Sequence, residues 1–192
     1  GAVHKYTVRA VNDKVMSTYT SSASLVRLVQ STVKISNAKT GITVKWSKVA
    51  GAKNYVIYKS ELVNGKWSSW KNMGTKANNV LSWTDTSVLS GGTYRYTVKA
   101  VNGASVSTFA ASNSTMFLAE PVTKIQNAAN GIKVSWTAVD GAKGYTVYRS
   151  QYNPKTKKWT SWASCGTAKG KTSWTDTKVT SGTYYKYTVR AI

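Results

Sequence analysis

The chain has 192 residues, of which 41% are hydrophobic and 11% aromatic, and this composition excludes an intrinsically disordered region. Lys and Arg number 27 against only 6 Asp and Glu, so the formal net charge is +21 and any partner of the surface is expected to be acidic. A single cysteine excludes a disulfide framework, and no apolar run approaches the length of a transmembrane helix.

The chain is a tandem repeat. Residues 6–12, 96–102 and 187–192 share the pattern Tyr-Thr-Val-Arg/Lys-Ala, and their starts lie 90 and 91 residues apart. Self-similarity at this long period predicts domains in tandem. In this alignment residues 1–30 form the last two strands of one repeat, 31–120 form a complete repeat, and 121–192 form a repeat without its last strand.

Within each repeat the hydrophobic period is two. Ile42, Val44 and Trp46 alternate with polar residues, and the same alternation recurs over residues 94–100. Turn residues such as those at 64–65 separate these segments, and no helical period is sustained. About seven short strands per repeat, each with one apolar face, predict an all-β fold of two antiparallel sheets packed face to face.

Three motifs resemble those of a known family. A Trp ends the second strand at Trp46 and Trp136, a Gly-Ala-x-x-Tyr segment follows at 51 and 141, and a Tyr-x-Tyr-x-Val-x-Ala strand comes sixth. These motifs resemble the lysine-rich fibronectin type III repeats of Gram-positive surface proteins and secreted enzymes. The resemblance implies tandem immunoglobulin-like sandwiches located outside the cell, at the bacterial cell surface. One departure is Ser-Gly at 90–91 and 181–182, where the family usually has Pro-Gly.

Both ends of the chain fall inside repeats, and two explanations remain open. In the first, the chain is a segment of a longer repetitive protein. In the second, the N-terminal strands of one molecule complete the C-terminal sandwich of the next by strand addition. The joins between repeats contain almost no spacer, which predicts a stiff or semi-stiff rod.

A pair of tryptophans three residues apart occurs twice, in Lys-Trp-Ser-Ser-Trp at 66–70 and Lys-Trp-Thr-Ser-Trp at 158–162. Residues three apart on a continuous strand point to opposite faces, so the first Trp of each pair, Trp67 and Trp159, is expected to face the core. The second Trp is expected to face out beside an outward tyrosine of the neighbouring strand. The predicted aromatic patch therefore consists of Tyr58, Trp70, Tyr148 and Trp162. It could bind a sugar ring or a partner side chain, or be closed by lysine stems without any ligand.

Cations recur in register on the outer face of the sixth strand. They are Lys5, Arg9, Arg95, Lys99, Lys186 and Arg190. Such a basic stripe suits a long polyanion, for example an acidic cell-wall polymer, an acidic polysaccharide or extracellular nucleic acid. No nucleic-acid motif accompanies it, and an ordinary solvated face is the alternative interpretation.

Catalytic and metal-binding residues are scarce. His4 is the sole histidine and stands where the other repeats carry Tyr94 and Tyr185, at the position that resembles the family's tyrosine corner. Asp85 and Asp176 occupy equivalent positions and are expected to bond nearby backbone N–H groups in a turn. Cys165 is expected to be a small core residue. The chain is therefore predicted to be non-catalytic, with no metal site and no cofactor.

These observations predict a non-catalytic extracellular spacer, structural or adhesive, whose partners are neighbouring repeats and an acidic cell-wall polymer or glycan. One alternative is a carbohydrate-binding accessory region of a secreted glycoside hydrolase that uses Trp70 and Trp162. Another is a subunit that assembles head to tail by β-strand complementation.

Overall fold

A computed structural model describes all 192 residues, and every regular element in it is a β-strand. No helix is present that could cross a membrane. The strands are β1 (Val3–His4), β2 (Val11–Asn12), β3 (Val15–Met16), β4 (Leu25–Val26), β5 (Val33–Ala38), β6 (Gly41–Trp46), β7 (Asn54–Val63), β8 (Lys66–Trp67), β9 (Lys71–Ala77), β10 (Ser82–Asp85), β11 (Thr93–Asn102), β12 (Ser105–Val106), β13 (Thr115–Met116), β14 (Thr123–Ala128), β15 (Gly131–Trp136), β16 (Tyr145–Asn153), β17 (Lys158–Trp159), β18 (Ala163–Ala168), β19 (Ser173–Asp176) and β20 (Tyr185–Ala191).

The complete repeat is a two-sheet sandwich. One sheet has the strand order β10-β6-β5, and the other has β12-β11-β7-β8 with β9 on β7 and β13 on β11. Val44 and Tyr55 are fully buried, and the rings of Trp46 and Tyr55, from different sheets, lie 5.8 Å apart. The predicted period of two is confirmed, since the apolar residues of β6, β7 and β11 fill one core.

The following repeat has the same arrangement. Its sheets have the orders β14-β15-β19 and β17-β16-β18, with β20 on β16. Buried residues of both sheets, among them Val134, Trp136, Tyr145, Val147 and Val189, form one cluster. The predicted fold class, all-β with tandem fibronectin type III-like antiparallel sandwiches, is therefore confirmed by this strand order.

The chain divides into two compact units. The first contains Gly1–Ser36, Thr43–Asp85 and Thr93–Thr115, and the second contains Asn37–Ile42, Thr86–Gly92 and Met116–Ile192. The two units are described separately below.

Serine hydroxyls hold the last strand of a repeat to the strand before it. In the complete repeat, Ser107 donates its N–H to Ala100 O and accepts the Ala100 N–H on its own Oγ, at 2.9 and 3.0 Å. Ser112 forms the same pair of bonds with Tyr96, at 2.7 and 3.0 Å. Residues 1–30 repeat this arrangement with Ser17 on Ala10 and Ser22 on Tyr6. We call these four serines the hydroxyl bridges.

The loop that joins β7 to β8 is a tight turn of the predicted kind. Asn64 and Gly65 have φ angles of 50° and 75°, the left-handed conformation that an Asn-Gly pair adopts at low cost. The turn places β8 antiparallel to the end of β7, with Leu62 opposite Trp67. It thereby positions the first tryptophan of the repeated motif.

Candidate functional site

The two tryptophans of the first motif lie on one face of the sheet. The Arg95 Cζ atom is 4.3 Å from the centroid of the Trp67 ring and 5.0 Å from that of the Trp70 ring. Trp67 is half-buried rather than part of the core, so the expectation that it faces inward is wrong. The parity argument fails because the strand is interrupted: β8 ends at Trp67 and β9 begins at Lys71.

A serine hydroxyl sustains this interruption. Ser68 donates its N–H to Glu61 O at 2.9 Å and accepts the Glu61 N–H on its Oγ at 3.0 Å. The Ser60 hydroxyl donates to Ser68 O at 2.8 Å. In the second unit Thr160 forms the corresponding bonds with Gln151 and Ser150, at 2.7–2.9 Å. The middle of the motif therefore ties the broken strand to its neighbour and leaves both indoles free to turn outward.

On the first unit, the predicted aromatic patch and basic stripe form a single surface. Lys99 Nζ lies 5.4 Å from the Tyr58 ring centroid and 4.7 Å from that of Phe109, and Phe109 meets Trp70 edge to face at 6.1 Å. Together with Trp67 and Arg95, these residues alternate rings and cations. We call this set the ring–cation row. Sequence reasoning missed Phe109, since it follows β12 in a segment without periodic pattern.

On the second unit, the equivalent surface has one cation–ring contact. Lys186 Nζ lies 4.0 Å from the Trp159 ring centroid, as Arg95 does over Trp67. Trp159 is nevertheless 38% exposed and Trp162 51% exposed, so the expectation that Trp159 faces the core is also wrong. Tyr148 is half-buried and Arg190 is exposed, as expected for outward positions.

The basic stripe continues in residues 1–30. The Arg9 Cζ atom lies 4.1 Å from the Tyr19 ring centroid, at positions equivalent to Lys99 and Phe109. Lys5 is exposed. Cation–π pairing therefore recurs at equivalent positions of the stripe, and each such contact contributes about 0.5–1 kcal/mol at exposed sites.

Asp85 and Asp176 have a larger role than a turn. In the first unit Asp85 Oδ2 accepts from the Tyr96 hydroxyl at 2.9 Å and pairs with Lys59 Nζ at 3.0 Å, and both charged side chains are at most 10% exposed. In the second unit Asp176 Oδ2 makes the same contacts with Tyr187 and Arg149, at 3.0 and 2.9 Å. We call each set of three residues a buried triad.

The expected turn bond is present at Asp176, and the triads explain two perturbed hydroxyls. Asp176 Oδ1 accepts the Lys178 N–H at 3.0 Å. Burial, together with the adjacent carboxylate, raises the pKa of Tyr96 and of Tyr187 well above the ordinary value for tyrosine. Both hydroxyls therefore remain protonated donors, which makes the triads structural.

Other residues considered for chemistry have structural positions. Cys165 packs against the core of the second unit, as expected, and burial raises the pKa of its thiol. The Tyr185 hydroxyl accepts the Thr180 N–H at 3.0 Å, the bond that the resemblance to a tyrosine corner implies. His4 is exposed on β1. No three His, Cys, Asp or Glu side chains gather where they could hold a metal ion.

Comparisons with known proteins give structural neighbours only. No family model matches the chain, and no curated protein matches it. Among solved structures, the FN1–FN3 domains of chicken CNTN1 match at 14% identity with a TM-score of 0.35, over 98% of this chain and 70% of that one. A segment of two fibronectin type III domains from chicken tenascin matches at 15% identity with a TM-score of 0.40, over 85% of this chain and 90% of that one.

Proposed function

We propose that this chain is a non-catalytic repeat region that lies outside the cell and acts as a structural and adhesive spacer. It makes weak, repeated contacts with acidic polymers or glycans, and neighbouring repeats of the same protein are its nearest partners. The observation that carries the proposal is the recurrence of one surface. A cation over a ring occurs at equivalent positions in Arg9 with Tyr19 and Lys99 with Phe109, and again in Arg95 with Trp67 and Lys186 with Trp159.

The charge distribution supports an acidic partner. Salt bridges occupy three of the six acidic residues, Asp85, Glu120 and Asp176, and two of these are buried. The surface therefore presents lysine and arginine with few competing carboxylates. Each exposed cation binds weakly and is screened by salt, so useful adhesion depends on many contacts made at once. Placement at a bacterial cell surface follows from the sequence resemblance and is part of the proposal.

Adhesion of coated beads tests this function. Beads carrying the full chain at high or low density are placed on surfaces coated with an acidic polysaccharide or a neutral one. We expect adhesion to the acidic surface at high density only, because multivalency supplies the affinity. Adhesion should disappear at about 0.5 M salt, because the Debye length there is only a few ångströms.

Two outcomes would count against the proposal. Equal adhesion to acidic and neutral surfaces would show that charge does not drive the adhesion. Adhesion that does not depend on bead density would indicate a strong single site rather than a spacer with repeated weak contacts. Beads coated with a neutral protein of similar size provide the background.

A further inference from the structure

Three aromatic rings cluster on the second unit outside the predicted patch. Tyr152 lies 5.4 Å from Trp159 and 6.4 Å from Tyr184, measured between ring centroids. Tyr184 is 74% exposed and Trp159 is 38% exposed, while Tyr152 is half-buried between them. Lys186 extends its ammonium over the Trp159 ring at 4.0 Å. Rings that cluster beside a cation in this way form a candidate interaction surface.

The backbone holds these rings in place. Tyr152 is directly opposite Trp159 in the pairing of β16 with β17. The Tyr152 N–H donates to Tyr184 O at 3.0 Å, which fixes the start of β20 beside the same residue. Three chain segments thus converge on one cluster, so the ring positions are set before any ligand arrives.

The first unit shows that the fold does not require this cluster. The residues at the positions of Tyr152 and Tyr184 are Leu62 and Thr93, and Trp67 there is half-buried against Arg95. The same sandwich therefore forms without the two tyrosines. Their presence in the second unit calls for an explanation other than folding.

The geometry points to a binding site for an acidic glycan, formed by Tyr152, Trp159 and Tyr184 with Lys186 as the cation. The inference deepens the proposed adhesive function and rests on it. Aromatic faces bind the C–H faces of pyranose rings, and an ammonium beside them pairs with a carboxylate or sulfate of the same polymer.

The ring arrangement favours a glycan over single-stranded nucleic acid. Tyr184 meets Tyr152 at an interplanar angle of 86°, and Trp159 is tilted by 57° to Tyr152. Successive bases stack most readily on flat platforms that lie parallel to the bases. A corner formed by nearly perpendicular rings suits a pyranose, which offers C–H groups on its faces and its edges.

Titration of the full chain with an oligogalacturonate tests the site, with a neutral oligosaccharide and a single-stranded oligonucleotide as comparison ligands. Tyr184→Ala and Trp159→Ala should each weaken oligogalacturonate binding about five- to tenfold. Tyr6→Ala removes a ring of similar exposure, 71%, outside the proposed contacts and should change affinity less than twofold. Lys186→Gln should weaken binding more than Lys133→Gln, which removes the same charge from the other sheet.

Each result decides the proposal. Equal losses for Tyr6→Ala and Tyr184→Ala, or unchanged binding in Tyr184→Ala, would overturn it. Tighter binding of the oligonucleotide through the same residues would also overturn it. Tyr184 is largely exposed, so its variant is expected to fold, and Tyr184→Phe should retain binding. If coated beads still adhere while these variants bind the oligosaccharide normally, the site is wrong and the spacer function stands.

Discussion

The outer sheet faces of the two units differ although they share the same motif. In the first unit Arg95 lies between two indoles, and Lys99 lies between Tyr58 and Phe109, so rings and cations cover one another. In the second unit Lys186 stands at the position of Arg95 and contacts Trp159 alone. The comparison teaches that an aromatic motif alone does not determine whether a sheet face is closed or open. The cation beside the motif determines how many of its rings are covered, since Arg95 contacts two indoles and Lys186 contacts one.

The largest difference in stability between the two units should appear when the aspartate of each buried triad is removed. Asp85→Ala should lower the free energy of unfolding by about 3–5 kcal/mol, since it leaves the Lys59 ammonium buried without the carboxylate. Asp176→Ala should cost less, because the Arg149 side chain is 26% exposed against 10% for Lys59. Urea unfolding followed by tryptophan fluorescence measures both, with Asp13→Ala as the exposed control. An equal or larger loss for Asp176→Ala would contradict the assigned difference in burial.

Alkaline pH should lower the free energy of unfolding through both triads, by less than the aspartate substitutions do. The pKa values of Tyr96 and Tyr187 are raised in the folded chain, so the folded state retains protons that the unfolded state releases above about pH 10. This stabilisation is complete below that pH and is lost as pH rises above it. Tyr96→Phe should reduce the alkaline loss more than Tyr187→Phe, because Tyr96 is fully buried. Tyrosinate absorbance at increasing pH should show these two hydroxyls ionising only as the chain unfolds, and ionisation within the folded chain would refute the prediction.

A smaller effect is expected from opening the ring–cation row. Arg95→Gln should destabilise the first unit by about 1–2 kcal/mol, since one half-buried guanidinium contacts two indoles. Lys186→Gln should cost the second unit less, because that ammonium contacts one exposed ring. Thermal unfolding gives the stabilities, and acrylamide quenching reports indole exposure. Arg95→Lys serves as the charge-preserving control. A loss of stability in Lys186→Gln equal to that in Arg95→Gln would contradict the difference between a cation on two rings and a cation on one.

The smallest change in stability should come from introducing the three-ring cluster of the second unit into the first unit. Leu62→Tyr with Thr93→Tyr places tyrosines at the positions of Tyr152 and Tyr184, and the stability should change by no more than about 0.5 kcal/mol. Calorimetric titration with the oligogalacturonate should then show an additional binding site per chain. Leu62→Tyr alone is the control. Unchanged stoichiometry in the double variant would mean that the two tyrosines do not create a binding site beside Arg95.

The sequence predicted the cores well because burial in a sandwich follows the period of two. Ile57 and Val98 lie inward as their parity requires, and both are fully buried. The cations paired with Asp85 and Asp176 were not predicted, although a signal existed. Lys59 and Arg149 stand at inward positions of β7 and β16, where a charge needs a buried partner.

The surface was harder to predict because it depends on irregular backbone. The orientation of Trp67 follows from a strand interruption that the Ser68 hydroxyl sustains, and a serine is too common to signal this by itself. Phe109 reaches the ring–cation row from a segment without a repeating pattern. Tyr58 and Trp70 lie beside Lys99 and Arg95, and these contacts with the basic stripe could not be read from spacing.

The hydroxyl bridges also bear on misassembly. Tandem domains with similar sequences risk exchanging strands with one another, and a regular sheet edge offers an incoming strand a continuous row of backbone donors and acceptors. Where Ser107 and Ser112 accept the N–H groups of Ala100 and Tyr96, a side-chain oxygen replaces the carbonyl that a regular strand would supply. The final strand of the repeat is thereby attached by a pattern that depends on serines at two fixed positions. A strand without those serines cannot reproduce its bonds, whereas a strand of another repeat that carries them, as residues 1–30 do with Ser17 and Ser22, can. The pattern therefore restricts pairing to strands of this repeat type.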